Sequence, residues 1–578
     1  MSVPPQVVIP GLMENAYRRE MQSLVAARAV ARLWAKDPTL WPGDEQSRTT
    51  RKSNLAWLDL PEQLGQYMAL VFKRTADVEA EGFDDLVFVG MGSANLAADT
   101  VARLPVGKRG NRLFVLDSTD PASIRSVEKA LNLLRTLFVF ASKSGKRIET
   151  HALLLYFIDR LKAAGAKSPG RHFIAVTEED SYLAHLARTY GFRDTFLDPP
   201  GIIGRYSALI HYGLLLSTVC RIDPRIIVSR AMAVRDACAC CVAPEANPAL
   251  TLAALLAASA IEGNVRLLLL TSESLIPFAY QIAQTVGAST GKEGQGIVPI
   301  VGEVPGDLDV YHHGCMVAEL TIGGDTAGVR EAADSLVQAG VPMVRIELNG
   351  PEDLGAELFK WELATALACA DLEVDPFQEP DIQDARERTS EILAALAAKH
   401  ELPAATIRVH EGGIELYAEK AARQQISTLS LTEALRTFFQ LRDNHGSLAI
   451  LGFLDRIPER ETALRRLRDQ LASRLRIPVV VSFGPRYLHY LGQLYKGGPA
   501  TNLFLFLTAQ PDEDMAVPGA DYSFGQLQLA LALGDFEALG RRARPVLRLH
   551  LTQGAEQGLK QLEGIVHRAL ANLPSFGN

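Results

Sequence analysis

Two hydroxyls and three cations crowd into six consecutive residues, Ser142, Lys143, Ser144, Gly145, Lys146 and Arg147, directly after the apolar run TLFVFA. Such side chains give charge-assisted hydrogen bonds, and a helix starting near Ile148 adds backbone N–H groups and the positive end of its dipole. The combination suits a phosphoryl group or another oxyanion. A solvated basic loop with a serine cap is the plainer reading of the same residues. Position favours the anion site, because the loop follows the carboxyl end of a strand in a parallel α/β pattern, where open sheets bind ligands.

A second turn, Gly90-Met91-Gly92-Ser93-Ala94, follows the run LVFVG and precedes another helix. Glycines after a strand serve tight turns in most α/β proteins, so this turn alone is weak support for phosphate binding. Two further segments, GIIGRYS (201–207) and ASTGKEGQG (288–296), read as loops carrying Arg205 and Lys292.

These residues need a scaffold, and the chain supplies one. From about Phe83, short β-rich runs (LVFVG, RLFVLD, TLFVFAS, HFIAVT) alternate with helical stretches, which predicts βαβ units and a parallel sheet. The alternation resumes with VRLLLLTS, GCMVAELTI and PMVRIEL and a helix near 357–372. After Lys399 a third, smaller block holds SLAILGFL, IPVVVSF and TNLFLFLTA, with helices near 458–474 and at the carboxyl end. The predicted class is α/β: two doubly wound parallel-sheet domains and a smaller carboxyl-terminal α/β domain. The expected divisions are a helical arm at 1–60 packed on the first domain, then 61–235, 236–400 and 401–578. The arm reads as an amphipathic helix over 15–36 ended at Pro38, and VDPFQEPDIQDARERTS as a structured connector.

At 578 residues the chain exceeds one hydrophobic core. Its net charge of -8 without basic blocks argues against a nucleic-acid partner. No run approaches the roughly 18 apolar residues of a membrane span, and no leader pattern opens the chain, so a cytoplasmic protein is expected. Six cysteines are too few for a disulfide framework. Cys238, Cys240 and Cys241 read as buried or half-buried thiols on a helix starting near Ser229, since no second Cys or His pair completes a zinc site. No cofactor or metal is expected.

The order of the motifs carries a resemblance. Ser142-Lys143 with Glu149-Thr150, then Gly204-Arg205-Tyr206-Ser207, then Ser289-x-Gly291-Lys292, on two successive sugar-isomerase (SIS) domains, resembles the glucose-6-phosphate isomerase family. The likeness is closest to the isomerase half of fused transaldolase/phosphoglucose isomerases. That half shares the arm RLWAKDPTLW, the loop STGKEGQG, the connector PFQEP and the carboxyl-domain segments GPRYLH and GQLYKGGP, over nearly the whole chain.

The resemblance implies aldose–ketose isomerisation through a cis-enediol. In the family a glutamate moves the proton between C1 and C2, an arginine steadies the enediolate, and His and Lys help open the ring. Arg205 matches the arginine, but the glutamate position holds Ala288. The family's active-site lysine aligns with Arg386, and His489 lies in the carboxyl-domain motif. Sugar-phosphate contacts are implied for Gly92, Ser93, Ser142, Lys143, Ser144, Lys146, Arg147, Gly204 and Glu379.

Several of these depart from the family pattern. Its Gly-x-Gly-Gly-Ser loop has become Gly-Met-Gly-Ser-Ala, its phosphate-loop threonines are Lys146 and Arg147, its Gln-Pro is Glu379-Pro380, and its GQLHKG carries Tyr495. The expectation is therefore a protein that binds fructose 6-phosphate or glucose 6-phosphate with isomerase activity lost or strongly reduced. The alternative is a working isomerase with a relocated base, for which Glu293, His312 and His313 are the candidates. The family's usual homodimer and a separate transaldolase are the protein partners this implies.

Overall fold

The computed structural model describes residues 6–69, 81–104, 112–263, 265–302, 310–312, 314–326, 328–399, 402, 407–426, 430–571 and 573. They form two compact units, one of residues 1–117, 130–304 and 312–379, the other of 118–129, 305–311 and 380–578.

The first unit contains two sheets. Strands β1 (Gln6–Val8), β2 (Asp85–Gly90), β3 (Arg112–Leu116), β4 (Thr136–Ala141), β5 (Phe173–Thr177), β6 (Asp194–Leu197), β7 (Arg266–Thr271), β8 (Val298–Val301), β9 (Cys315–Ile322) and β10 (Met343–Leu348) follow in chain order. One sheet runs β3-β2-β4-β5-β6 with every pair parallel. The other runs β1-β10-β9-β7-β8, parallel except for β1, which joins β10 antiparallel. All six residues of β4 and all eight of β9 are buried. Parallel strands covered on both faces must be apolar throughout, which is why they stand out as continuous runs.

The amino-terminal arm departs from expectation. Its helix ends at Ala26, Arg28 turns left-handed at φ 52°, and a short helix Ala29–Trp34 follows. Its long helix packs with the second sheet's helices, while Trp57 of the arm meets Tyr206 of the expected first domain, ring centroids 4.9 Å apart. Met13 and Ala16 cluster with Ala258, and Trp41 Nε1 donates to Ala366 O at 2.9 Å. Buried Arg51 holds the arm's turn by donating to Pro38 O and Trp41 O and pairing with Asp375 at 2.7 Å. The cysteine reading also needs correction. The helix Pro224–Ala237 stops before the cluster, so Cys238 is buried at its cap while Cys240 and Cys241 are exposed. No metal-holding group of His, Cys, Asp and Glu occurs among the described residues.

The second unit has a six-stranded sheet of β11 (Val409–Glu411), β12 (Ile414–Ala418), β13 (Leu448–Phe453), β14 (Val479–Phe483), β15 (Leu503–Ala509) and β16 (Val546–Leu551). Its order is β11-β12-β16-β15-β13-β14, with the last four parallel and β11 and β12 antiparallel. Residues 118–129, the start of the β3–β4 crossover, belong to this unit. Thr119 Oγ1 donates to Gln528 Oε1 at 2.8 Å, and Arg125 Nη2 donates to Glu513 O at 2.8 Å.

The segments GPRYLH and GQLYKGGP serve this unit's core. Tyr487 OH donates to Asp535 Oδ2 at 2.5 Å, Lys496 pairs with Asp535 Oδ1, and Arg544 Nη2 donates to Lys496 O and Gly498 O at 2.9 and 2.6 Å. Among the described residues no helix is long and apolar enough to cross a membrane.

Candidate functional site

In the first sheet the chain leaves β2 for β3 on one side and returns as β4 on the other. Gly90 and Ala141, the last residues of β2 and β4, pair in register, so both candidate loops leave the sheet at this reversal point. Their approach demands glycine at 90, where a Cβ would stand 2.5 Å from Ala141 O and Asn95 Oδ1. Arg147 ties the loops together by donating from Nη1 to Met91 O at 2.7 Å. The helix Ile148–Ala163 starts as expected, and no side chain caps it. Ser142 Oγ accepts from Gly145 N at 3.2 Å, folding the loop into a turn, while Ser144 and Lys146 are exposed. Gly145 has φ +66° and lies so close to Leu183 N that a Cβ would stand at 2.1 Å. Gly92, φ +120°, lets the other helix begin at buried Ser93.

Lys143 exposes 21% of its side chain through its stem, whereas Nζ is covered and has no hydrogen-bond partner among the described residues. Its nearest carboxylate is Glu178 at 3.6 Å. Burial pulls its pKa down, opposed by Asp198 and Glu178. The converse holds for Asp198, which burial pushes up to about 6 against the pull of Lys143. His211 is driven down to about 3 by burial and then by Lys143, so it stays neutral. The Asn95 amide and Thr150 Oγ1 are likewise buried without a hydrogen-bond partner among the described residues. Buried polar atoms are nearly always satisfied, and orphans on three residues of one sheet end fit a polar ligand there.

Glu178 and Asp198 were missed in the sequence. Each directly follows a strand, β5 and β6, and that position was the available signal.

The motif GRYS forms a short 3₁₀ turn, Gly204–Tyr206, before the helix Ala208–Thr218. Arg205 is 5% exposed. It donates from Nε to Ser289 Oγ at 3.2 Å, from Nη1 to Glu379 Oε1 at 2.7 Å and from Nη2 to Pro376 O at 2.6 Å. These use three of the guanidinium's five N–H groups. Arg205 thus joins Glu379 and the segment bearing Ala288.

That segment is not a loop at Ala288, because the helix Ile276–Thr290 runs through it. Ala288 is 2% exposed and offers only a methyl. Below it, buried Lys292 caps the helix end, donating from Nζ to Ala288 O at 3.0 Å and Ser289 O at 2.5 Å. Burial first, then the Arg205 charge, lowers Lys292 to about 8.

Of the substitute bases, Glu293 is exposed in a left-handed turn at φ 56°, His312 is half-buried, and His313 lies outside the described residues. Arg386, exposed on the helix Gln383–Lys399, and half-buried His489 belong to the second compact unit, not to the one holding Arg205.

No family model matches the chain. A probable glucose-6-phosphate isomerase of Haloquadratum walsbyi is 26% identical over 378 residues, covering 59% of this chain and 85% of that protein. The chain is thus similar to proteins named glucose-6-phosphate isomerase. A glucose-6-phosphate isomerase of Carboxydothermus hydrogenoformans is 30% identical over 268 residues, 44% of this chain and 57% of that one. A hypothetical protein of Thermus thermophilus superposes with TM-score 0.56 at 23% identity, over 67% of this chain and all of that one, which is a likeness of fold. These relatives bear out the resemblance to the glucose-6-phosphate isomerase family read from the order of the Ser142, Arg205 and Ser289 motifs.

Proposed function

We propose that this chain binds sugar phosphates, fructose 6-phosphate or glucose 6-phosphate, and has lost most or all of the family's isomerase activity. One observation carries the reading. At the position where the resemblance places the proton-transferring glutamate stands the buried methyl of Ala288, one residue from the Ser289 hydroxyl held by Arg205. A positioned base is worth about 10²- to 10⁴-fold, and a methyl neither accepts nor relays a proton. Anion capture draws on different groups, namely the uncapped helix start, the covered Lys143 ammonium and Arg147, and these remain. The resemblance to fused proteins makes a separate transaldolase the partner to seek, and the cytoplasm the expected location.

A second reading, an active isomerase with a relocated base, is supported by Lys292. Its ammonium lies 3.0 Å from Ala288 O and, at a pKa lowered to about 8, is neutral in part near pH 7. Calorimetry with fructose 6-phosphate and a coupled turnover assay, on wild type and Ala288→Glu, separate the two. The proposal expects wild-type binding with negligible turnover, and a gain of roughly 10²-fold or more in Ala288→Glu. Wild-type turnover near an ordinary enzyme's rate of about 10 per second overturns it.

A further inference from the structure

A cavity in the second unit is lined by none of the residues assigned above to sugar phosphate. Its place follows from the topology. From β13 the chain crosses to β14 on one side, then returns to β15 on the other, so β13 and β15 flank the reversal point of this sheet. Leu454 and Asp455, just beyond β13, and Thr508, near the end of β15, line the cavity. Ligands of open α/β sheets bind in this crevice. The third wall is the segment taken from the β3–β4 crossover, where Asp120 accepts from Ala122 N at 2.8 Å, Ser123 N at 3.1 Å and Gln528 Nε2 at 3.1 Å.

Size and charge restrict what could enter. A volume of about 230 Å³ falls below the roughly 300–1,000 Å³ of drug-sized pockets, which rules out a dinucleotide and leaves room for a molecule of a few carbons. Four carboxylates (Asp120, Asp455, Asp512, Glu513) face two guanidiniums, and both guanidiniums are committed. Arg460 pairs with Asp455 at 2.9 Å and Arg125 with Glu513 at 3.6 Å. An anion is therefore repelled, in contrast to the loops of the first unit. Carboxylate and amide oxygens instead accept from hydroxyl groups, while Pro121, Leu454 and Leu529 offer apolar surface to C–H faces.

We propose that the crevice between β13 and β15, closed by Asp120, Asp455 and Gln528, is a second binding site, for a small neutral polyhydroxylated compound such as an unphosphorylated sugar or polyol. It stands independently of the fate of Ala288.

The test is saturation-transfer NMR and calorimetry on the full chain with D-glucose, D-fructose, sorbitol, spermidine and inorganic phosphate. Wild type is compared with Ala122→Trp, which blocks the mouth from an exposed position, and with Asp120→Asn. A sugar held by the first unit cancels in this comparison. The expected result is saturable binding of at least one sugar or polyol, weakened tenfold or more in both variants while their urea midpoints stay at the wild-type value. Should Asp120→Asn lower the midpoint, Ala122→Trp alone decides. No sugar or polyol binding, binding unchanged by Ala122→Trp, or spermidine or phosphate as the only compound sensitive to it each overturns the proposal.

Discussion

Replacing Arg205 should unfasten the first unit before it affects any chemistry. The guanidinium makes three hydrogen bonds, one of them to a carboxylate, and is 5% exposed. In Arg205→Ala the Pro376 carbonyl loses this donor inside the protein, the Ser289 hydroxyl keeps the Tyr206 hydroxyl at 3.2 Å, and Glu379, 31% exposed on its side chain, regains water. Breaking a buried pair from one side costs about 3–5 kcal/mol, and the access of Glu379 to solvent places the expectation at the lower end, about 3 kcal/mol. Arg205→Lys keeps the charge but cannot span three acceptors, so about half that loss is expected. Glu379→Gln should cost less than about 1 kcal/mol, with a double-mutant coupling near 1 kcal/mol.

Urea unfolding followed by tryptophan fluorescence reads this cleanly. All four tryptophans, Trp34, Trp41, Trp57 and Trp361, lie in the first unit, and the Trp57 ring centroid is 4.9 Å from that of Tyr206. The midpoint should fall at unchanged slope. A loss under about 1 kcal/mol in Arg205→Ala, or Arg205→Lys equal to wild type, would refute the claim that this arginine is built into the fold.

Three other outcomes are expected. Glu362 is wholly buried, accepts one bond from Ala208 N at 3.2 Å and has its other oxygen unpartnered among the described residues, and burial raises its pKa well above 4.5. Its contribution is therefore complete below the unfolded value and is lost as pH rises through the folded one. Glu362→Gln should flatten that decline and gain roughly 1–3 kcal/mol at neutral pH in urea titrations, where an unchanged pH profile contradicts the assignment. Gly145→Ala places a methyl against Leu183 N at positive φ, so the loop must shift: fructose 6-phosphate affinity should drop at least tenfold in calorimetry and the urea midpoint should fall with it, and affinity unchanged at a lowered midpoint would separate this loop from binding. In Ala288→Glu the new carboxylate should raise the Lys292 pKa from about 8, read by amine NMR titration; no change would mean that the two side chains do not meet.

Much of the scaffold was legible because β2, β4, β5, β7, β9, β13, β14 and β15 are largely apolar runs of parallel strands, and β10 alternates apolar and charged residues. Short β6, with two of its four residues exposed, lacks that signature. β1 owes its identity to β10, more than three hundred residues away, and β11–β12 pairs antiparallel with one polar face. The crossover helix was legible as a helix but not its membership of the second unit, since amphipathicity does not name the sheet that covers a face. The deciding contact, Thr119 with Gln528, spans 409 positions. At the site, the glycines and the Ser142–Arg147 cluster announced themselves by composition. Glu178 and Asp198 did not, because a single acid after a strand is ordinary until the fold turns it toward a covered lysine.

The site residues differ in how far the fold depends on them. Arg205 joins the GRYS turn to the helix ending at Thr290 and to Pro376, and Lys292 caps that helix through Ala288 O and Ser289 O. Neither role calls for a carboxylate at position 288, whose backbone alone is used. A chain can therefore exchange that side chain for a methyl and keep every one of these bonds, whereas losing Arg205 or Lys292 would leave buried carbonyls without donors. On the proposed reading, the side chain at 288 has no structural duty, so its proton transfer could be lost without unfolding the rest. The same asymmetry explains why Ala288→Glu is a fair test, since the cations that would face a restored carboxylate are already held in place by bonds to other groups.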